Sequence, residues 1–293
     1  MGPRLAVTLA FFCVHTLPAQ RGENRFRVES RVVFVNAAVI DETNRFVTGL
    51  NTANFKVSED GEAVSVKSVT LEEVPMSTVV LFDVSGSMEK TIGFARGALE
   101  RFLSRTLQGD EYCLVLFRDS VVPKCDFTSD PRTVSMNATA VPEGKTAIID
   151  ALIFGLRKVK DARNSRTAIL ILSDGVDTTS RFKGKDARRY ALESNATMYA
   201  VSPPVWREED EFGSIQLRSL VEMTGGRFLM ASNDKSLAEY MDRLEVRLQY
   251  VISYVPTNLA NDGRLRKIKL HLQGGGRSRQ HIYWRRGYYA PAY

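Results

Sequence analysis

Asp83, Ser85 and Ser87 stand at alternate positions just where an apolar run, Val79 to Phe82, gives way to a turn. Alternate side chains of an extended backbone lie on one side, so one carboxylate and two hydroxyls can address a single point. Two other segments carry the same chemistry in the same kind of place. Thr146 lies in GKTAIIDAL, ahead of a helical pattern, and Asp174 follows the apolar run AILILS. The set is two carboxylates and three hydroxyls, with no nitrogen or sulfur. Hard oxygen donors of this kind suit Mg2+, Mn2+ or Ca2+ rather than zinc or copper. Two carboxylates balance a divalent charge and leave the ion able to accept another anionic oxygen.

Such a set works only if the three segments converge, and the pattern around them predicts that they do. From residue 75 to 248 strand and helix patterns alternate. Apolar runs at TVVLFDV, YCLVLF, TAILILSDG and TMYAVS read as buried strands, with VVPKCDF and GRFLMAS as shorter ones. Residues 88–107, 146–159, 184–195, 211–224 and 234–248 read as helices, the first with Ala95, Ala98, Leu99, Phe102 and Leu103 on one face. This alternation predicts an α/β fold: a doubly wound, mostly parallel sheet with helices on both faces. Ligands of open sheets bind beyond the carboxyl ends of the strands, where the five oxygen-bearing residues fall.

The flanks differ. Residues 26–72 and 249–290 read as strands separated by turns at Asp60-Gly61, Asn261-Asp262-Gly263 and Gly274-Gly275-Gly276. A stable sheet needs about three strands with a hydrophobic face. Neither flank is comfortable alone, so both are expected to build one small β-domain into which the α/β unit of 75–248 is inserted.

Residues 1–19 pair a basic start, MGPR, with an uncharged run of thirteen, LAVTLAFFCVHTL. The run is short for a bilayer span and matches a secretory signal peptide cleaved near Ala19. No later segment is long and apolar enough to cross a membrane, so an exported protein, secreted or periplasmic, is expected. Export permits disulfides. Cys113 and Cys125 fall opposite each other if their strands pair about a loop centred on Asp119, which makes a bond between them possible. The histidines beyond the leader are His271 and His281, too few and too late for a histidine zinc site or a Ser-His-Asp triad. Gly144-Lys145-Thr146 resembles the end of a phosphate loop, but Thr139 stands where that pattern requires glycine.

Asp83-x-Ser85-x-Ser87 with Thr146 and Asp174 resembles the metal-ion-dependent adhesion site of von Willebrand factor type A domains, over about residues 75–248. The whole chain, with LNTANFKVSEDG before and YVISYVPTN after, is similar to exported bacterial proteins called VWFA-related, common in acidobacteria. The resemblance implies that Ser85, Ser87 and Thr146 approach a metal through hydroxyl oxygens. Asp83 and Asp174 would coordinate directly or through water. An acidic residue of a protein partner would complete the shell. Asp177 and Trp206, the latter in WREEDEF, are candidates for a ligand-binding rim, although a capping role suits Asp177 equally. Residues 264–286 carry eight basic residues and no acid, against +6 for the chain. Their partial alternation with leucine and isoleucine suits one solvated strand face, which could also meet an anionic envelope surface. Nucleic acid is not expected as a partner of an exported protein. The function expected is a non-enzymatic, metal-dependent protein-binding or adhesion module. The alternatives are a metal-dependent hydrolase and a structural envelope protein whose metal locks its loops.

Overall fold

Strand-forming segments dominate both ends of the chain and helices the middle. The computed structural model describes residues 31–203, 208–231, 233–244, 246–274 and 280–292, all within one unit, Arg31–Tyr293. The expected signal peptide lies outside them. In chain order come strands β1 (Val33–Ile40), β2 (Phe55–Glu59), β3 (Glu62–Val64), β4 (Val66–Glu73) and β5 (Met76–Asp83). A 3-10 turn, Gly86–Lys90, leads to helix α1 (Ile92–Leu103), then β6 (Glu111–Phe117), β7 (Val121–Pro123), α2 (Pro131–Asn137) and α3 (Ile148–Lys158). Next are β8 (Arg166–Leu172), α4 (Gly184–Glu193), β9 (Thr197–Ser202), α5 (Glu208–Met223), β10 (Phe228–Met230) and α6 (Asp234–Arg243). Four strands close the chain: β11 (Leu248–Tyr254), β12 (Leu265–Leu272), β13 (His281–Trp284) and β14 (Gly287–Tyr289).

The central sheet has the order β10-β9-β8-β5-β6-β7, parallel except for β7. It is the mostly parallel α/β sheet that the alternation predicts. Every residue of β5 is buried, as expected for a central strand covered on both faces. Val80 and Phe82 pack on one side with α1 and α6. Val79 and Leu81 pack on the other with α3, α4 and α5. Burying a Val, Leu or Phe side chain contributes about 1.5–3 kcal/mol, so the strands that end at the site are among the most firmly held parts of the molecule.

The flanks form two antiparallel sheets, β13-β1-β11-β4 and β14-β12-β2-β3. Each takes strands from both ends of the chain. Val35, Ala37, Val39, Phe55, Val57, Ile252, Ile268 and Leu270 fill the space between them. Asp60 and Gly61 adopt φ +50° and +96°, the left-handed pair that closes a two-residue hairpin between β2 and β3. Tyr254 and Tyr288 both donate to the buried carboxylate of Glu59, at 2.5 and 3.0 Å. The junction with the central sheet is polar. Arg247, just before β11, pairs with buried Asp110 at 2.7 Å, and Arg166 on β8 pairs with Glu72 on β4 at 3.1 Å.

Several expectations need correction. The helix expected over 88–107 is divided: the 3-10 turn precedes α1, because Thr91 between them sits at φ −120°, ψ 1°. The helix expected to reach 248 ends at Arg243. Cys113 and Cys125 are not bonded. Val115↔Pro123 and Phe117↔Val121 give the expected register about Asp119. Beyond Pro123, however, the amides of both Lys124 and Cys125 are donated to the carbonyl of Leu114, the mark of a β-bulge. The bulge turns the thiols to opposite faces of the sheet: Cys113 packs with α3 and its neighbours, Cys125 with the α1 side. The Cys113 thiol instead donates to the Cys125 carbonyl at 3.2 Å, and burial pushes it up to about 12. The basic strand is not uniformly solvated either. Arg266 points inward among Ile268 and Leu270 and donates to Asp262 at 2.9 Å. Arg285 is buried against the last carbonyls of α4, from Ala191 and Leu192, where the negative end of the helix favours a cation.

Candidate metal centre

Strand β5 delivers Asp83 to the carboxyl edge of the central sheet, and β8 beside it ends one residue before Ser173. In the parallel register Phe82 faces Leu172, so Asp83 and Ser173 meet. The Ser173 hydroxyl donates to Asp83 Oδ2 at 2.6 Å, and the Ser85 amide donates to Oδ1 at 2.9 Å. The carboxylate is wholly buried, and among the described residues no Lys or Arg pairs with it. Burial, and then the charge of Asp174, push Asp83 up to about 7, while the bonds from Ser173 and Ser85 pull the other way. An acid in this position lacks a counter-cation, which is what a metal ligand requires.

The hydroxyls lie beside it. Ser85 is buried and Ser87 exposed, with their Oγ atoms 3.1 Å apart. The loop that carries Thr146 is fastened to this turn by two backbone bonds, Gly86 N to Gly144 O at 3.1 Å and Glu143 N to Val84 O at 3.0 Å. Gly144 has φ +76°, a conformation that favours glycine. Thr146 is buried. Its amide donates to Thr178 Oγ1 at 2.9 Å, and its carbonyl accepts from the amides of Thr178 and Thr179. The loop after Asp174 is therefore bound to the loop of Thr146. Asp174 is half-buried; its Oδ1 accepts from Val176 N at 3.4 Å, and its carbonyl accepts from Ser214 Oγ on α5 at 3.2 Å.

The structure thus brings the loops of Asp83, Ser85, Ser87, Thr146 and Asp174 to one edge and ties each to the next. Among the described residues no three or more His, Cys, Asp or Glu cluster as a metal site, so a cation here depends on hydroxyls and two carboxylates. The donor set and the uncompensated buried acid fit a hard divalent ion. Asp177, read from the sequence both as a rim residue and as a capping one, accepts from the Ile149 amide at 3.3 Å, in the first turn of α3, and from Ser180 Oγ at 2.5 Å. Its carboxylate caps a helix. Trp206 lies outside the described residues. Sequence reasoning missed the supporting residues Ser173, Thr178 and Ser214. The hydroxyl of Ser173 directly before Asp174 was the visible signal for one of them.

Residues 78–176 match the family model of the von Willebrand factor type A domain, and this part of the chain is a domain of that family. A von Willebrand factor type A protein from Catenulispora acidiphila is similar, at 12% identity over 88% of this chain and 75% of that one, with a TM-score of 0.51. It has the same fold. The von Willebrand domain of the type V pili tip protein Mfa5 from Porphyromonas gingivalis is 21% identical over 36% of this chain and 40% of that one, with a TM-score of 0.32. The PilB minor pilin from Streptococcus sanguinis is 14% identical over 58% of this chain and 60% of that one, with a TM-score of 0.45. The chain spans under half of the Mfa5 domain. No curated protein matches it.

Proposed function

We propose that this protein is an exported, metal-dependent protein-binding or adhesion module. Asp83, Ser85, Ser87, Thr146 and Asp174 would hold Mg2+, or Mn2+ or Ca2+, and an acidic residue of a protein partner would complete the coordination. The observation that carries the reading is the buried, unneutralised carboxylate of Asp83 at a point where three loops are bound together. When bound, the metal supplies an electrophile for one more anionic oxygen. The chain's own residues do the rest. Ser173 and the Ser85 amide orient Asp83, and the bonds from Gly86 to Gly144 and from Thr178 to Thr146 hold the hydroxyl donors in place. Among the described residues the site offers no histidine, and Asp177 is engaged on α3, which favours binding over catalysis. Pilus proteins among the similar structures and the signal-like residues 1–19 are consistent with work outside the cytoplasm, and no helix of the described residues is long and apolar enough to cross a membrane. The test is capture of envelope proteins on the immobilised chain. A partner retained in Mg2+, released by EDTA and not retained by Asp83→Ala supports the reading. A partner held equally in EDTA contradicts it.

A further inference from the structure

A second concave surface lies where α4 and α5 face the β12 and β13 strands. It encloses about 760 Å³, within the size range of small-ligand and side-chain pockets, about 300–1,000 Å³. Its rim is basic. Arg188 comes from α4, Arg218 from α5, Lys267 and Lys269 from β12, and Arg286 from the β13–β14 turn. All five are exposed. Alternation along β12 aims Lys267 and Lys269 outward together, while Arg266 and Ile268 point in.

Among the described residues that line the groove, one carboxylate opposes these charges. Glu222 approaches Arg286 at 3.7 Å. Among the described residues Arg188, Arg218, Lys267 and Lys269 form no ion pair; Arg188 reaches only the Ser219 hydroxyl, at 3.5 Å, and Arg218 lies over the Phe228 ring at 4.8 Å. The floor is apolar, built by Leu192, Met223 and Ile268, with Trp284 half-exposed under the Arg286 guanidinium. Ile215, on α5, is 55% exposed at the lip. A folded surface does not gather unpaired cations around an apolar hollow for stability, since like charges repel and the hollow leaves hydrocarbon in water.

We infer that this groove binds an acidic peptide segment of a partner protein, with apolar side chains on the floor and carboxylates against the five cations, independently of the metal site. Charge complementarity selects an anionic partner. The apolar floor selects a peptide over a polysaccharide, which has no hydrocarbon side chains to place there, and the concavity does not fit a flat bilayer. The arrangement follows the general form of an interface, an apolar centre within a charged rim.

The probe is a short fluorescein-labelled peptide of alternating glutamate and leucine, titrated with the full chain in EDTA at low ionic strength and followed by anisotropy. EDTA silences the metal site, so this result is separate from that of the proposed adhesion site. Saturable binding is expected, and it should weaken at least about tenfold with Lys267→Glu/Lys269→Glu, because rim charges set both the rate of encounter and the register. Ile215→Asp should also weaken it, and a glutamate–serine peptide should bind far less. These substitutions are at exposed positions and should leave thermal unfolding unchanged; Arg218→Glu replaces the lysine pair if that variant melts early. No binding of the peptide overturns the proposal, as does unchanged affinity in the folded charge-reversal variants. An anionic polysaccharide that binds as tightly as the peptide and ignores Ile215→Asp also overturns it, since the surface would then be reading charge alone.

Discussion

Gly213→Ala tests how the site is held. A glycine inside a helix is about 1 kcal/mol less favourable than alanine, so the substitution in a free-standing α5 would stabilise. Here a β-carbon at position 213 would lie 2.7 Å from the Gly175 carbonyl oxygen and 2.9 Å from Val176 Cα, where ordinary contact begins near 3.4 Å. Both obstacles are backbone, so α5 and the loop after Asp174 must part by about 0.7 Å. Overpacking of this kind costs about 1–3 kcal/mol, which offsets the helix gain and leaves a net loss of up to about 2 kcal/mol. The displacement acts on Asp174 itself, because its carbonyl is bonded to Ser214, the next residue of α5. Disturbing the support of a metal ligand typically weakens affinity about 10- to 100-fold. The assay is urea unfolding together with Mn2+ titration, with Gly97→Ala as the control. Gly97 also lies inside a helix, with nothing within 4 Å of its would-be β-carbon, so alanine there should stabilise by about 1 kcal/mol. If Gly213→Ala gains as much as Gly97→Ala and binds Mn2+ like the wild type, the claimed contact between α5 and the site is wrong.

Unfolded, unreduced protein should show both Cys113 and Cys125 as free thiols in an Ellman titration; their absence from the count would contradict the bulge after Pro123. Asp110→Asn should cost about 3–5 kcal/mol in urea unfolding, the usual loss when one partner of a buried pair is removed, because Arg247 is then left buried without its carboxylate. Burial pushes Asp110 up, but Arg247 and the amides of Leu107 and Met76 outweigh it and hold the group below 3.8. Its contribution is therefore complete above that value and is lost as the pH falls through the folded pKa below it; a variant with the same acid dependence as the wild type would refute this. Deleting 249–293 removes β11 and β12, the partners of β1 and β2, so limited proteolysis should cut residues 31–72 rapidly. Survival of that segment as in the full chain would show that it does not depend on the C-terminal strands.

The central sheet was legible because parallel strands buried on both faces leave continuous apolar runs, and Asp83 and Asp174 mark where two of those runs stop. The position of Thr146 was legible by its place ahead of α3. The bonds that unite these segments were not, since they run between backbone groups, as from Gly86 to Gly144, or through hydroxyls such as Thr178 that resemble any polar loop residue. Helix α2 escaped notice because Pro131–Asn137 is too short to show a helical period. Arg266 was misread with the other basic residues as part of a solvated face; alternation puts it on the side of Ile268 and Leu270, where Asp262 and the carbonyl of Ala260 receive its guanidinium. The bulge at Lys124 and Cys125 depends on local backbone geometry after Pro123, and no side-chain pattern announces it. Gly213 lies inside a helical pattern, and nothing in that pattern announces its close approach to Gly175 and Val176.

Five oxygen-bearing residues on three loops are proposed to form one divalent-metal site. Titration calorimetry of Mg2+ and Mn2+ into the full chain, into Asp83→Ala and into Thr146→Ala tests it most directly. The wild type should bind saturably, Asp83→Ala should lose binding with the thermal unfolding of the metal-free protein little changed, and Thr146→Ala should bind more weakly by a smaller margin. No binding by the wild type at millimolar metal, or equal binding by the wild type and Asp83→Ala, would contradict the proposal.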